Sequence, residues 1–89
     1  MVDVLELLGT YPNPAQNQAT VRFALPEGAA DATLKLYDVL GRSLQTVDLS
    51  NVQDRYTRTL DVANIATGMY LLRLTANGRT QTKKLTVVR

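Results

Sequence analysis

The sequence predicts an all-β fold built from two antiparallel sheets packed face to face. Three observations carry that expectation. Apolar and polar residues alternate with period two along most of the chain. An Asn77-Gly78 pair separates two such runs near the end. Turn signals recur every ~8–12 residues, the spacing of short strands in a sandwich.

The elements follow in order. Val4 to Leu8 reads as a first strand. Ala19, Val21, Phe23 and Leu25 alternate with Thr20, Arg22 and Ala24, giving a half-buried strand closed by Pro26-Glu27-Gly28. Ala32, Leu34 and Leu36 alternate with Thr33, Lys35 and Tyr37 in a strand that ends at Asp38. Val39-Leu40-Gly41-Arg42 reads as a turn with Gly41 at positive φ, and Leu44 to Leu49 as the return strand. Arg55 to Val62, rich in Thr and Tyr, is another strand, and Ala63 to Gly68, too short for a stable helix, is a crossing loop. Met69 to Ala76 and Arg79 to Val88 flank Asn77-Gly78, the pair that suits a two-residue type I′ turn. That turn pairs Ala76 with Arg79 and Tyr70 with Leu85, and sets Tyr70, Leu72, Leu74, Leu85 and Val87 on one core-facing side. Lys83 falls on the same side, opposite Leu72, which calls for a bulge or a snorkelling side chain. About seven strands result, an immunoglobulin-like architecture without the cysteines and tryptophan of antibody domains.

Eighty-nine residues make one domain, and 45% hydrophobic with 20% charged residues is the balance of a folded chain. Without His or Cys, the usual general bases, thiolate nucleophiles and zinc ligands are missing, and no cofactor is expected. Asp38, Asp48, Asp54 and Asp61 fall on separate turns and strand ends, where Asp usually bonds local backbone, so a catalytic carboxylate pair is not expected. Gly9, Gly28, Gly41, Gly68 and Gly78 read as isolated turn glycines, none in a phosphate-cradling run. The chain is therefore read as no enzyme. Residues 62–89 hold five bases (Arg73, Arg79, Lys83, Lys84, Arg89) and no acid. Two readings stand open: strand edges guarded by charge, or a basic end that meets an acidic partner or anionic surface. Nucleic acid is not expected, because no aromatic stacking platform interleaves with these bases. No run approaches a membrane helix of ~18 apolar residues. Met1-Val2-Asp3-Val4 lacks the charge pattern of a secretory signal, so Met1 reads as an artificial start of a segment from a longer chain.

Four segments, in order, resemble one known family. Tyr11-Pro12-Asn13-Pro14 with Ala19-Thr20-Val21-Arg22-Phe23 resembles the opening "YPNP…T.v.f" of type A C-terminal sorting domains of type IX secretion in Bacteroidota-like bacteria. Leu34 to Arg42, with Tyr37-Asp38 and Gly41-Arg42, is similar to that family's "v.vyD..Gr" hairpin. Leu60 and then Ile65 to Arg73, with Gly68 and Tyr70, resemble its "l.….l..G.Y.l.." passage, and Lys83-Lys84-Leu85-Thr86-Val87-Val88-Arg89 its "kkl.v.." ending.

The resemblance implies a sorting signal at the end of a larger cargo protein. It implies recognition by an outer-membrane translocon and removal by a sortase-like peptidase. It also implies a path through the periplasm to the cell surface or the medium. On that reading, residues 1–10 hold the junction to the cargo plus the first strand, and residues 11–89 are the sorting domain. Lys83, Lys84, Leu85, Val87 and Arg89 are candidates for translocon recognition; strand addition at an open edge is one physical route, and edge protection remains the other. Tyr11, Pro12, Asn13, Pro14, Asp38, Gly41, Arg42, Gly68 and Tyr70 are expected to be structural. The two prolines should make a stiff elbow, and Gly41 and Gly68 should mark backbone that a Cβ would obstruct. The competing class is a carbohydrate-binding or cell-attachment module of a secreted hydrolase, with a sugar platform from Tyr37 and Tyr56 and Tyr70 half-buried.

Overall fold

The computed structural model describes residues 5–25, 32–49 and 55–88, with Arg55 and Tyr56 described in their backbone alone. The expected turn at Pro26-Glu27-Gly28, Val4 and Arg89 lie outside the described residues. Seven strands form: β1 (Glu6–Tyr11), β2 (Gln18–Ala24), β3 (Ala32–Tyr37), β4 (Ser43–Asp48), β5 (Arg55–Asp61), β6 (Gly68–Ala76) and β7 (Arg79–Val87). They make a three-stranded sheet, β1-β2-β5, and a four-stranded sheet, β4-β3-β6-β7, with antiparallel pairing throughout. This is the expected immunoglobulin-like sandwich, with β4 beside β3.

The alternation decides which side of each strand is covered. Ala19, Val21 and Phe23 of β2 face Leu34, Leu36, Leu72 and Leu74 of β3 and β6 in one continuous core. Each large aliphatic or aromatic chain so buried contributes about 1.5–3 kcal/mol relative to exposure. Thr20 and Thr59, directly opposite on the outer side, have hydroxyls 3.2 Å apart.

The last hairpin takes the register that its turn demands. Ala76 pairs with Arg79 and Tyr70 with Leu85, and Asn77 (φ 52°) and Gly78 (φ 79°) both lie at the positive φ of a type I′ turn. Lys83 pairs with Leu72 without a bulge and is exposed. Because β7 is an edge strand, an inward position there opens onto the rim between the sheets, and the ammonium reaches water. Gly9 corrects the sequence reading: it lies inside β1 rather than in a turn. The β1–β2 register shifts between Leu7 and Gly9, Gly9 takes φ 145°, and Leu8 is the extra, exposed residue of a bulge.

Both seams of the sandwich are closed by glutamines on inward positions of edge strands. Gln81 Oε1 on β7 accepts the Leu7 amide of β1 (2.6 Å), and Gln45 Nε2 on β4 donates to the Asp61 carbonyl of β5 (2.7 Å). Such polar contacts satisfy edge groups that would otherwise template pairing with another chain.

The motif end as the candidate functional site

Strand direction sends the sequence motifs to one end of the sandwich. β1 and β3 end there at Tyr11 and Tyr37; β2, β4 and β6 begin there at Gln18, Ser43 and Gly68; β7 finishes there at Val87. The Tyr-Pro-Asn-Pro segment, the Asp38–Arg42 turn, the Ile65–Tyr70 crossing and the terminal strand thus converge, although they are far apart in the chain.

The first and last motifs touch directly. Both X–Pro bonds, Tyr11–Pro12 and Asn13–Pro14, are cis. Beyond them Ala15 forms a parallel bridge with Val87: its amide donates to the Thr86 carbonyl (2.8 Å) and its carbonyl accepts the Val88 amide (2.9 Å). Asn13 Oδ1 accepts the Thr86 amide (3.1 Å). The segment is an elbow of a particular kind: it leaves the β1 sheet and seals the outer edge of β7 in the other one. Ala15, fully buried, was not singled out from the sequence, where one alanine between a proline and a glutamine carries no signal.

The Asp38–Arg42 turn is closed by its own side chains. Asp38 Oδ1 accepts the amides of Leu40 and Arg42 (both 2.9 Å), and Asp38 Oδ2 accepts Arg42 Nε (2.7 Å). The Arg42 amide has the largest effect on the Asp38 carboxyl; with the Arg42 guanidinium and the Leu40 amide it outweighs desolvation, the second largest, and holds the group below its ordinary value. Gly41 sits at φ 86°, where a side chain is strained, yet a Cβ there would meet nothing within 4 Å. Conformation rather than space selects glycine at that position.

At the crossing loop, Ala63 N donates to Asp61 Oδ1 (2.9 Å) and Ile65 N to the Val62 carbonyl (3.1 Å). Tyr70 is buried at 8% exposure rather than half-buried, and its hydroxyl donates to the Ala66 carbonyl (2.5 Å). This is the tyrosine corner of immunoglobulin-like sandwiches, at the start of the corresponding strand. The steric expectation for Gly68 is not met: a Cβ would lie 3.7 Å from the Tyr70 ring, an ordinary contact, and its φ is not positive. Between the Asp38–Arg42 turn and this loop opens a groove of about 410 Å³, rimmed by Val39, Leu40, Leu44 and Met69 and floored by Tyr70. Val39 and Leu40 are 71% and 76% exposed. In the sequence they read only as turn residues, although two large apolar side chains in a turn are themselves a signal of contact.

The candidate recognition residues separate into two kinds. Lys83 and Lys84 are exposed, whereas Leu85 and Val87 are fully buried in the core. Arg89 lies outside the described residues. The sugar platform does not assemble: Tyr37 is on β3 and Tyr56 on β5, in different sheets. The Arg73 guanidinium, 4.9 Å from the Tyr37 centroid, covers that ring.

No curated protein matches this chain. The profile of one family, described as the secretion system C-terminal sorting domain, matches residues 9–88 and so takes in all four converging segments. Its members are C-terminal sorting signals for type IX secretion, are in general non-catalytic, and imply interaction with that machinery, fusion to a cargo protein, and export to the cell surface or secretion. With nearly its whole length matched and the expected sandwich formed, this chain belongs to the family of secretion system C-terminal sorting domains.

Proposed function

We propose that the motif end is what the outer-membrane translocon reads, and that the terminal strand is its centre. The observation that supports this is the seal of Asn13 and Ala15 on Thr86 and Val88, which holds the end of β7 in one fixed place. Lys83 and Lys84 then stand at defined positions as the charged contacts, Leu85 and Val87 anchor them, and Arg89 extends the basic run. The domain breaks no bonds itself; a sortase-like peptidase acts at the junction to the cargo, within residues 1–10. Residues 1–10 hold that junction plus most of the first strand, β1, and residues 11–89 work as the sorting domain. The passage runs through the periplasm before delivery to the surface or the medium.

The test is a fusion of residues 1–89 to a periplasmic reporter in a host competent for type IX export, with surface delivery measured. Delivery that depends on the domain and drops in Lys83→Gln/Lys84→Gln, with thermal unfolding unchanged, supports the reading. Undiminished delivery by that folded variant removes the two lysines from recognition. Deleting residues 83–89 is a poorer probe, because it also removes the buried Leu85 and Val87.

A further inference from the structure

We propose that the outer face of the four-stranded sheet is a docking surface for an acidic protein partner, centred on Arg73 stacked against Tyr37. Pairing register assembles this face from three strands. Lys35 on β3 lies directly opposite Arg73 on β6, Tyr37 opposite Leu71, and Leu71 opposite Lys84 on β7. Arg73 and Lys84 belong to the acid-free stretch 62–89; Lys35 is brought in from nearly fifty residues before Lys84 by the β3–β6 pairing.

Three observations make this more than an ordinary solvated face. Like charges directly opposite each other in a sheet are destabilising, so the Lys35–Arg73 pair costs the fold something and returns nothing to it. Among the described residues the ion pair within 4 Å is Arg42–Asp38, so Lys35, Arg73 and Lys84 have no such partner there. Among the described residues the acid on their side of the sheet is Asp48, at the corner opposite Thr33. Finally, the Arg73 guanidinium is held in place by the Tyr37 ring, 4.9 Å from its centroid, which lowers the entropy lost when it meets a carboxylate.

The chemistry of the surroundings selects a protein rather than a phosphate-bearing ligand. The cations are spread over a sheet face instead of converging on a concavity lined with backbone amides, the usual form of a phosphate site. Half-buried Leu71 lies among them, and Leu44 and Met69, 42% and 51% exposed, border them on the same side. An arginine and a tyrosine at the centre with apolar neighbours are the composition of a protein interface. The proposal rests on the export reading only in placing the partner outside this chain. Its test needs no export, so the two fail separately.

The experiment measures binding of the 89-residue chain to poly-L-glutamate, and separately to phosphatidylglycerol vesicles, at low and moderate salt. Lys35→Gln/Arg73→Gln is compared with Arg22→Gln/Arg58→Gln, exposed cations of the other sheet whose loss changes net charge equally. The expected result is saturable, salt-sensitive binding to polyglutamate, weakened about 5- to 20-fold by the first pair and far less by the second. The first variant should melt at the same temperature as the parent or slightly higher, because a like-charge pair has gone. Should it fail to fold, Lys84→Gln alone is expected to weaken binding about two- to fivefold. Equal weakening by both double variants would reduce the effect to net charge and overturn the proposal. So would binding to vesicles but not to polyglutamate, or no saturable binding at all.

Discussion

The two halves of β7 belong to one strand with unbroken pairing to β6, yet they are built differently. From Arg79 to Lys84 every residue is exposed, including those on inward positions. From Leu85 to Val87 the inward side chains are fully buried, and the outer backbone edge is sealed by Asn13 and Ala15. In the first half the backbone groups of Thr80, Thr82 and Lys84 point away from β6 in the same sense as those of Thr86, and among the described residues no backbone partner meets them. Edge protection is thus divided along one strand: charge and a glutamine guard the first half, and the chain's own opening motif guards the second.

The largest expected effect sharpens that division. Leu85→Ala empties a fully buried site in the sealed half and should cost about 2–5 kcal/mol in denaturant unfolding. Lys83→Gln, two residues earlier and also on an inward position, should change stability by less than about 0.5 kcal/mol. If the two costs are alike, the halves are not energetically distinct. Asn13→Ala removes the side-chain acceptor from the Thr86 amide and should cost about 1 kcal/mol. In hydrogen exchange, the Thr86 amide should lose protection in that variant while that of Thr82 exchanges quickly in both proteins. Tyr70→Phe, which strips the Ala66 carbonyl of its donor, should cost about 0.5–1.5 kcal/mol, detectable as a small drop in melting temperature.

The smallest effect concerns acid. Asp38 is held below its ordinary value of 3.8 in the folded chain, so its contribution to stability is complete above that pH and is lost as pH falls through the lower folded value. An acid titration followed at the Leu40 and Arg42 amides should show their change below pH 3.8, and Asp38→Asn should abolish it. Resonances that move instead near pH 5 would place the carboxyl in a different environment.

The strands and the last hairpin were legible because their causes are local. Alternation marks the buried side of β2 and β3, and Asn77-Gly78 sets a register that runs from Arg79 to Val87 without a slip. Gly9 misled for the same reason: a bulge is defined by what the neighbouring strand does, and β2 lies outside any local window. Tyr37 and Tyr56 looked like a pair because nothing local reveals to which sheet each strand belongs.

What the sequence determined by itself was the class of fold, the order of the strands, and membership through four motifs in series. Only the tertiary structure decided that those motifs meet at one end, that Asn13 reaches Thr86, and that Lys35 stands opposite Arg73. Side-chain period is a property of the backbone at each residue, whereas partners across a sandwich depend on which edges close on one another. That closure is settled by burial summed over the whole chain.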